Sequence, residues 1–178
     1  MYYTFLRFPG GKAKAVTFSY DDGCRQDIRM SQIITQHGFK CTFNINSRRF
    51  GQTEKGWNMT ADEIRKYFIE AGHEIAVHGA YHQAPGLMRP IAGIQDVLTC
   101  RKELEQEFGF IIRGMAYPDS GIRHFENQAS YEDIRHYLKD LDIVYSRTLG
   151  GDNNRFELPC DWYAWMPTAH HDNPFFSP

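Results

Sequence analysis

Apolar positions along this chain follow two periods, one of two residues and one of three to four, and the two periods take turns. Residues 15–24 read AVTFSYDDGC. There Ala15, Val16, Phe18 and Tyr20 form a short β-rich run that ends in a turn at Gly23. Residues 25–37 then place Ile28, Ile33 and Ile34 on a helical segment, with Gly38 where a helix C-terminus belongs. CTFNIN (41–46) predicts a second strand. Thr60 and Glu63 predict a capping box ahead of Ile64, Tyr67, Phe68 and Ala71, spaced i, i+3, i+4 and i+7 and closed by Gly72. EIAVH (74–78) predicts a third strand. Ile91, Ile94, Val97, Leu98, Leu104 and Phe108 mark a long amphipathic helix up to Gly109, and FIIRGMAY (110–117) a fourth strand. Ser130 caps a helix bearing Ile134, Tyr137, Leu138 and Leu141, and DIVYSR (142–147) predicts a fifth strand.

Alternating strand and helix units imply an α/β fold with a parallel sheet and right-handed crossovers. The pattern fits either a closed (β/α) barrel or an open doubly wound sheet. From residue 150 onward the rhythm stops. The stretch is rich in Gly, Asn, Pro and aromatic residues without helical period, and predicts an irregular, ordered segment.

Composition narrows the picture. At 178 residues the chain fits one domain, and 42% hydrophobic residues are enough for a real core. A formal charge of −2 gives no basic footprint for nucleic acid. No apolar run approaches the ~18 residues of a membrane span, and MYYTFLRFPGGKAK lacks the order of a signal peptide, so a cytoplasmic location is expected. Cys24, Cys41, Cys100 and Cys160 show no C-x-x-C spacing, which predicts reduced, mostly buried thiols.

The candidate chemistry lies where the strands end. Catalytic groups of barrel enzymes gather at the C-terminal ends of the strands. Here the first strand ends in Asp21-Asp22, the second carries Asn44 and Asn46, and the third runs into VHGAYH with His78 and His82. The fourth ends in AYPDSG and the fifth in Arg147. Two adjacent aspartates are compatible with turn chemistry, because Asp bonds its own nearby backbone. They also repel each other, which a cation would relieve. Histidines four apart share one face of a helical turn and can chelate, although surface histidines also fall at this spacing. Asp22, His78 and His82 together make the ligand count of a catalytic zinc site with an open position. A metal there would lower the pKa of bound water to roughly 7, leaving Asp21 as general base. The two acids would then have separate tasks.

TFSYDDG, HGAYH and AYPDSG, in this order on consecutive strand ends, resemble the polysaccharide deacetylase (NodB-homology, carbohydrate esterase) family over nearly the whole chain. The resemblance implies a distorted (β/α) barrel that removes N- or O-acetyl groups from carbohydrates with one divalent metal. Zinc is the expected ion, with cobalt, nickel or manganese as alternatives. It matches Asp21 to the family's catalytic base, and Asp22, His78 and His82 to its metal ligands. The chain departs from the pattern at four places. Gly79 stands where the family has Ser or Thr, with loss of a loop-fixing hydrogen bond. Ala116 stands where an arginine orients the base; Arg147 is the candidate replacement, against a plain structural arginine. Asp119 replaces a tyrosine whose backbone N–H helps to hold the oxyanion, which keeps the backbone around Tyr117 and Asp119 as the candidate oxyanion site. The family's late acid histidine has only His170 and His171 as counterparts, with Asp161 or Asp172 to orient them. If neither serves, the last strands of the barrel lie beyond the chain, and an exposed sheet edge would favour a homo-oligomer. Two other activities fit the same residues: hydrolysis of small cyclic amides or ureides, and metal-containing carbohydrate binding without turnover.

Overall fold

All five expected strands form, and their order settles the architecture. The computed structural model describes residues 7–50, 57–119, 122, 129–149 and 156–173. Strands β1 (Phe18–Asp21), β2 (Cys41–Ile45), β3 (Glu74–Val77), β4 (Gly114–Ala116) and β5 (Tyr145–Arg147) pair in parallel, in the order β1-β2-β3-β4-β5. A doubly wound sheet reverses its strand order at a switch point. Sequential order without reversal is that of a barrel wall. The sheet accordingly curls into a half-barrel, and the fold is a distorted NodB-type (β/α) barrel.

Helices α1 (Gln26–Gln36), α2 (Ala61–Ile64, continued by a wider π turn, Arg65–Ile69), α3 (Pro90–Phe108) and α4 (Tyr131–Asp140) connect the strands. The starts of α2 and α4 follow from local chemistry. Thr60 Oγ1 accepts from the Glu63 N–H at 3.2 Å while Glu63 accepts from the Thr60 N–H at 2.9 Å, and Ser130 and Asp133 repeat the exchange.

Strand alternation sorts the side chains. Phe43, Ile45, Ile75, Val77 and Met115 face the helices and are fully buried, with the Phe43 ring stacked 3.6 Å from that of Phe68. The opposite, concave face carries Ser19, Asp21, Thr42, Asn44, Glu74, Tyr145 and Arg147. Across it Thr42 Oγ1 donates to Glu74 at 2.6 Å, and Tyr145 Oη donates to the same oxygen at 2.9 Å. Gly114 is required at this point, since any Cβ would run into the Tyr145 ring and hydroxyl.

Three expectations shorten. Ala15 and Val16 fall outside β1, and Val16 is 59% exposed. Only Gly114–Ala116 of FIIRGMAY joins the sheet, and β5 starts at Tyr145. Apolar runs report burial rather than pairing: Ile112 and Ile143 are buried without belonging to the ladder. Of the four free cysteines only Cys41 and Cys100 are buried; Cys24 is partly buried and Cys160 exposed.

The late segment is more organised than its sequence predicts. Trp165 pairs in parallel with Arg147: Trp165 N–H donates to Ser146 O at 3.1 Å, and Thr148 N–H donates to Trp165 O at 2.9 Å. Tyr117 Oη donates to Tyr163 O, and Tyr163 Oη to Ile143 O, both at 2.8 Å. The segment thus covers the free edge of β5. Residues 150–155 and 174–178 of that expectation, and Ser120 and Gly121 of AYPDSG, lie outside the described residues. Among the described residues no helix is long and apolar enough to cross a membrane.

Candidate functional site

The C-terminal rim of the sheet brings together Asp22, His78 and His82. Asp22 Oδ1 lies 3.6 Å from His78 Nε2 and 3.3 Å from His82 Nε2, and the three candidate ligand atoms are all within 4.8 Å of one another. Tetrahedral zinc with bonds of 2.0–2.1 Å separates its donors by about 3.3 Å. The donor set therefore fits a dication with little movement. Asp22 Oδ1 is buried and has no hydrogen-bond partner among the described residues. Such an atom costs about 1–3 kcal/mol, more for a charged group, unless something compensates it. His78 is almost fully buried, and its Nδ1 sits 2.9 Å from Ala116 O. With the Nδ1–H donated to that carbonyl, the Nε2 lone pair points at Asp22, the arrangement that presents imidazole to a metal. His82 Nδ1 has Asp119 Oδ1 at 3.6 Å behind it.

The backbone here is forced into uncommon conformations. Asp22 (φ 73°), His82 (φ 57°) and Asp119 (φ 48°) are three of the four non-glycine residues with positive φ among those described. Each costs on the order of 1–3 kcal/mol, and such outliers collect where function over-determines the geometry.

Asp21, one residue before, points into the concave face and is held by two side chains, Arg147 and Asn44. Arg147 donates through Nη2 to both carboxylate oxygens, at 2.5 Å to Oδ2, and through Nε to Ser19 Oγ at 3.0 Å. Asn44 Nδ2 donates to Asp21 Oδ1 and to Ser19 Oγ, both at 2.9 Å. Burial pushes the Asp21 carboxyl up, but His78, Arg147 and Asn44 outweigh it and hold it below the usual carboxylate range. Burial also drives His78 towards its neutral form, so the lasting contribution is that of Arg147. Arg49 stands at the mouth, with Nη1 3.8 Å from Asp22 Oδ1.

Other expected positions are not brought to this centre. The Tyr117 N–H donates to Arg147 O at 2.9 Å, extending the β4–β5 ladder, so it is not available to an oxyanion. The Tyr117 side chain is buried on the helix-facing side. Asp119 does lie at the rim, beside His82. His170 and His171 form a separate, exposed group with Asp172, and the His171 ring packs 5.9 Å from Tyr20. Tyr20 faces Phe43 and the helices, whereas Asp21 faces the opposite side of the strand. The proposed orienter Asp161 instead accepts from Tyr131 Oη at 2.7 Å.

Two residues that hold the histidine loop went unassigned by sequence reasoning. Asn46 donates to the carbonyls of His78 and, at 3.1 Å, Gly79. Asp96, on α3, accepts from the Tyr81 N–H at 3.1 Å. A signal for Asp96 existed: the buried stripe of α3 is Gly93, Asp96, Val97, Cys100, Leu104 and Phe108, and an acid on an apolar stripe is anomalous.

Comparison with known proteins gives the same family as the motifs. The chain resembles the solved Streptococcus pyogenes deacetylase PplD, determined in complex with acetate, at 13% identity and a TM-score of 0.70; the match covers 90% of this chain and 67% of that one. For IcaB from Ammonifex degensii the values are 18%, 0.64, 81% and 62%. For a de-N-acetylase from Aggregatibacter actinomycetemcomitans they are 17%, 0.68, 92% and 73%. At these identities the likeness is one of fold, and this chain spans about two thirds of their length. A search of curated proteins gives no match. The family model for polysaccharide deacetylase matches residues 8–144. That span carries every one of the paired strands except β5, and with them Asp21, Asp22, His78 and His82, so the chain belongs to the polysaccharide deacetylase family.

Proposed function

We propose that the chain hydrolyses an acyl group, acetyl in the first instance, from a carbohydrate at the centre formed by Asp21, Asp22, His78 and His82. The observation that carries this reading is Asp22 Oδ1, buried between the Nε2 atoms of two histidines with no hydrogen-bond partner among the described residues. Asp22, His78 and His82 would hold one divalent metal, with zinc favoured by two imidazoles and a carboxylate. A dication held there supplies Lewis acidity to the acyl carbonyl and makes water easier to deprotonate at neutral pH.

Asp21 does the work of the base. Arg147 and Asn44 fix its plane, and its depressed pKa keeps it ionised at neutral pH. It takes the proton of the attacking water as oxygen adds to the acyl carbon. It returns that proton to the sugar nitrogen or oxygen as the bond to the acyl carbon breaks, which releases acetate and the free amine or hydroxyl. A strongly ionised carboxylate is a weak base, so the transfer depends on the water having been made acidic. The backbone amide of Asp119, beside His82, is the candidate donor to the developing oxyanion.

The test measures metal content and acetate release from a panel of N- and O-acetylated sugars. The parent should hold about one metal per chain and release acetate. Asp22→Ala should lose both metal and turnover, and Asp21→Asn should keep metal but lose turnover. Parent-like turnover in Asp22→Ala, or after exhaustive chelation, would refute the reading. Metal and saccharide binding without turnover would make the chain a binding protein. Preference for small cyclic amides or ureides in the same panel would replace the carbohydrate as substrate.

A further inference from the structure

The two histidines of the centre are anchored very differently. His78 directly follows β3: its N–H donates to Ile45 O at 3.0 Å and its ring to Ala116 O. The place of His82 depends on the intervening turn, Gly79 to Tyr81. From below, Asn46 holds the carbonyls of His78 and Gly79, and the Arg48 N–H holds Ala80 O at 3.2 Å. The N–H side of the turn is held by Asp96, whose Oδ1 accepts from Tyr81 N–H.

Asp96 is an expensive residue for this task. It is 6% exposed on the buried stripe of α3, and its Oδ2 has no hydrogen-bond partner among the described residues. Burial pushes its carboxyl up, against the Tyr81 and Ala80 backbone that favours the charged form. An apolar side chain on this buried stripe would avoid desolvating a carboxyl. Gly79 completes the fit. It has φ +71°, and a Cβ on it would come within 2.5 Å of Asp96 Oδ2. The missing side chain at 79 is the space into which the carboxyl fits.

We infer that Asp96 is a positioning residue, which sets the distance between His78 and His82 by holding the N–H side of the Gly79–Tyr81 turn. The inference rests on the reading of His78 and His82 as metal ligands. Residues that orient ligands from behind typically contribute about 10–100-fold to metal affinity, and Asp96 acts at one remove, through the turn.

Zinc titration calorimetry on the metal-free full chain tests this, together with the visible spectrum of the cobalt form and the melting temperature of the apo form. Asp96→Ala should weaken zinc binding by about 10–100-fold and change the cobalt spectrum. Asp96→Asn, which retains the acceptor for Tyr81, should bind as the parent does. A lower melting temperature in Asp96→Ala with unchanged zinc affinity and cobalt spectrum would reduce Asp96 to a structural residue and overturn the inference. If the alanine variant does not fold, Asp96→Asn decides: weakened zinc binding by a folded asparagine variant also overturns it. Asp22→Ala is the separate control. Parent-like zinc binding there would defeat the metal-site reading itself, whatever the Asp96 variants do.

Discussion

Replacing Arg147 by methionine separates charge from packing at this centre. Methionine keeps much of the aliphatic stem and removes the guanidinium, leaving Asp21 with Asn44 as its only side-chain donor among the described residues. The side chains of Arg147 and Asp21 are 12% and 27% exposed, between a surface pair and a fully buried one. Exposed pairs contribute about 0.2–1 kcal/mol, and breaking a buried pair costs about 3–5 kcal/mol. A loss of about 1–3 kcal/mol at pH 7 is therefore expected, or roughly 2–12 °C in melting temperature at about 2–4 °C per kcal/mol for a chain of this size.

The sign with pH follows from the direction of the shift. The folded-state pKa of Asp21 is depressed, so its contribution is present above the unfolded value of about 3.9 and is lost as pH falls through the folded value. Without Arg147, burial dominates and raises the carboxyl instead. The gap in stability between parent and Arg147→Met should then open from pH 3 to pH 7, as read by urea denaturation of the metal-free protein. The acid limb of kcat/KM should move to higher pH in the variant. Arg147→Lys should recover part of the stability, because it restores charge without the fork. A gap of equal size at pH 3 and pH 7 would mean that the loss is one of packing, and the account of Asp21 would fail.

Asp27 titrates in the opposite sense. Burial, with the charges of Asp21 and Asp22 adding to it against the Cys24 N–H, pushes its carboxyl up to about 7. The folded chain therefore binds a proton that the unfolded chain has released, and stability falls as pH rises from about 4 to 7. Asp27→Asn should remove that slope and make the apo protein more stable than the parent at pH 8, by on the order of 1–3 kcal/mol; an unchanged slope in chemical denaturation would refute it. Arg49, 3.8 Å from Asp22, is a positive charge beside the proposed dication. Arg49→Ala should tighten zinc binding by a few-fold, on the order of 0.5–1 kcal/mol for so exposed a group, in the same calorimetry, and weaker binding would give Arg49 a supporting role instead.

Several features are legible in local sequence because the forces behind them are local. Thr60 with Glu63, and Ser130, announce their helix starts, since a capping box is an exchange of bonds within four residues. His78 and His82 are recognisable as a pair through spacing alone. The limits of β4 are not, because Ile111 is exposed and Ile112 buried in one continuous apolar run. Arg147 could be named as a candidate partner of Asp21, but its fork reaches a residue 126 positions away, which only chain crossing brings near. His170 and His171 show the converse. Their residue type suits an acid, yet the His171 ring packs beside Tyr20, on the other face of β1, with His170 against it.

What the sequence alone determined is therefore the alternation of five strands with four helices, the adjacent acids after the first strand, and the histidine pair after the third. These rest on periodicity, capping and spacing, which act over a few residues. Tertiary structure decided the rest: consecutive strand order and hence a barrel wall, Arg147 beside Asp21, Asp96 behind the histidine turn, the Tyr117 amide committed to the sheet, and the late segment paired along β5. The reason is physical. Each is a pairing between groups far apart in the chain, and the loop-closure entropy of such pairings is offset by the core as a whole, so no short stretch carries the information.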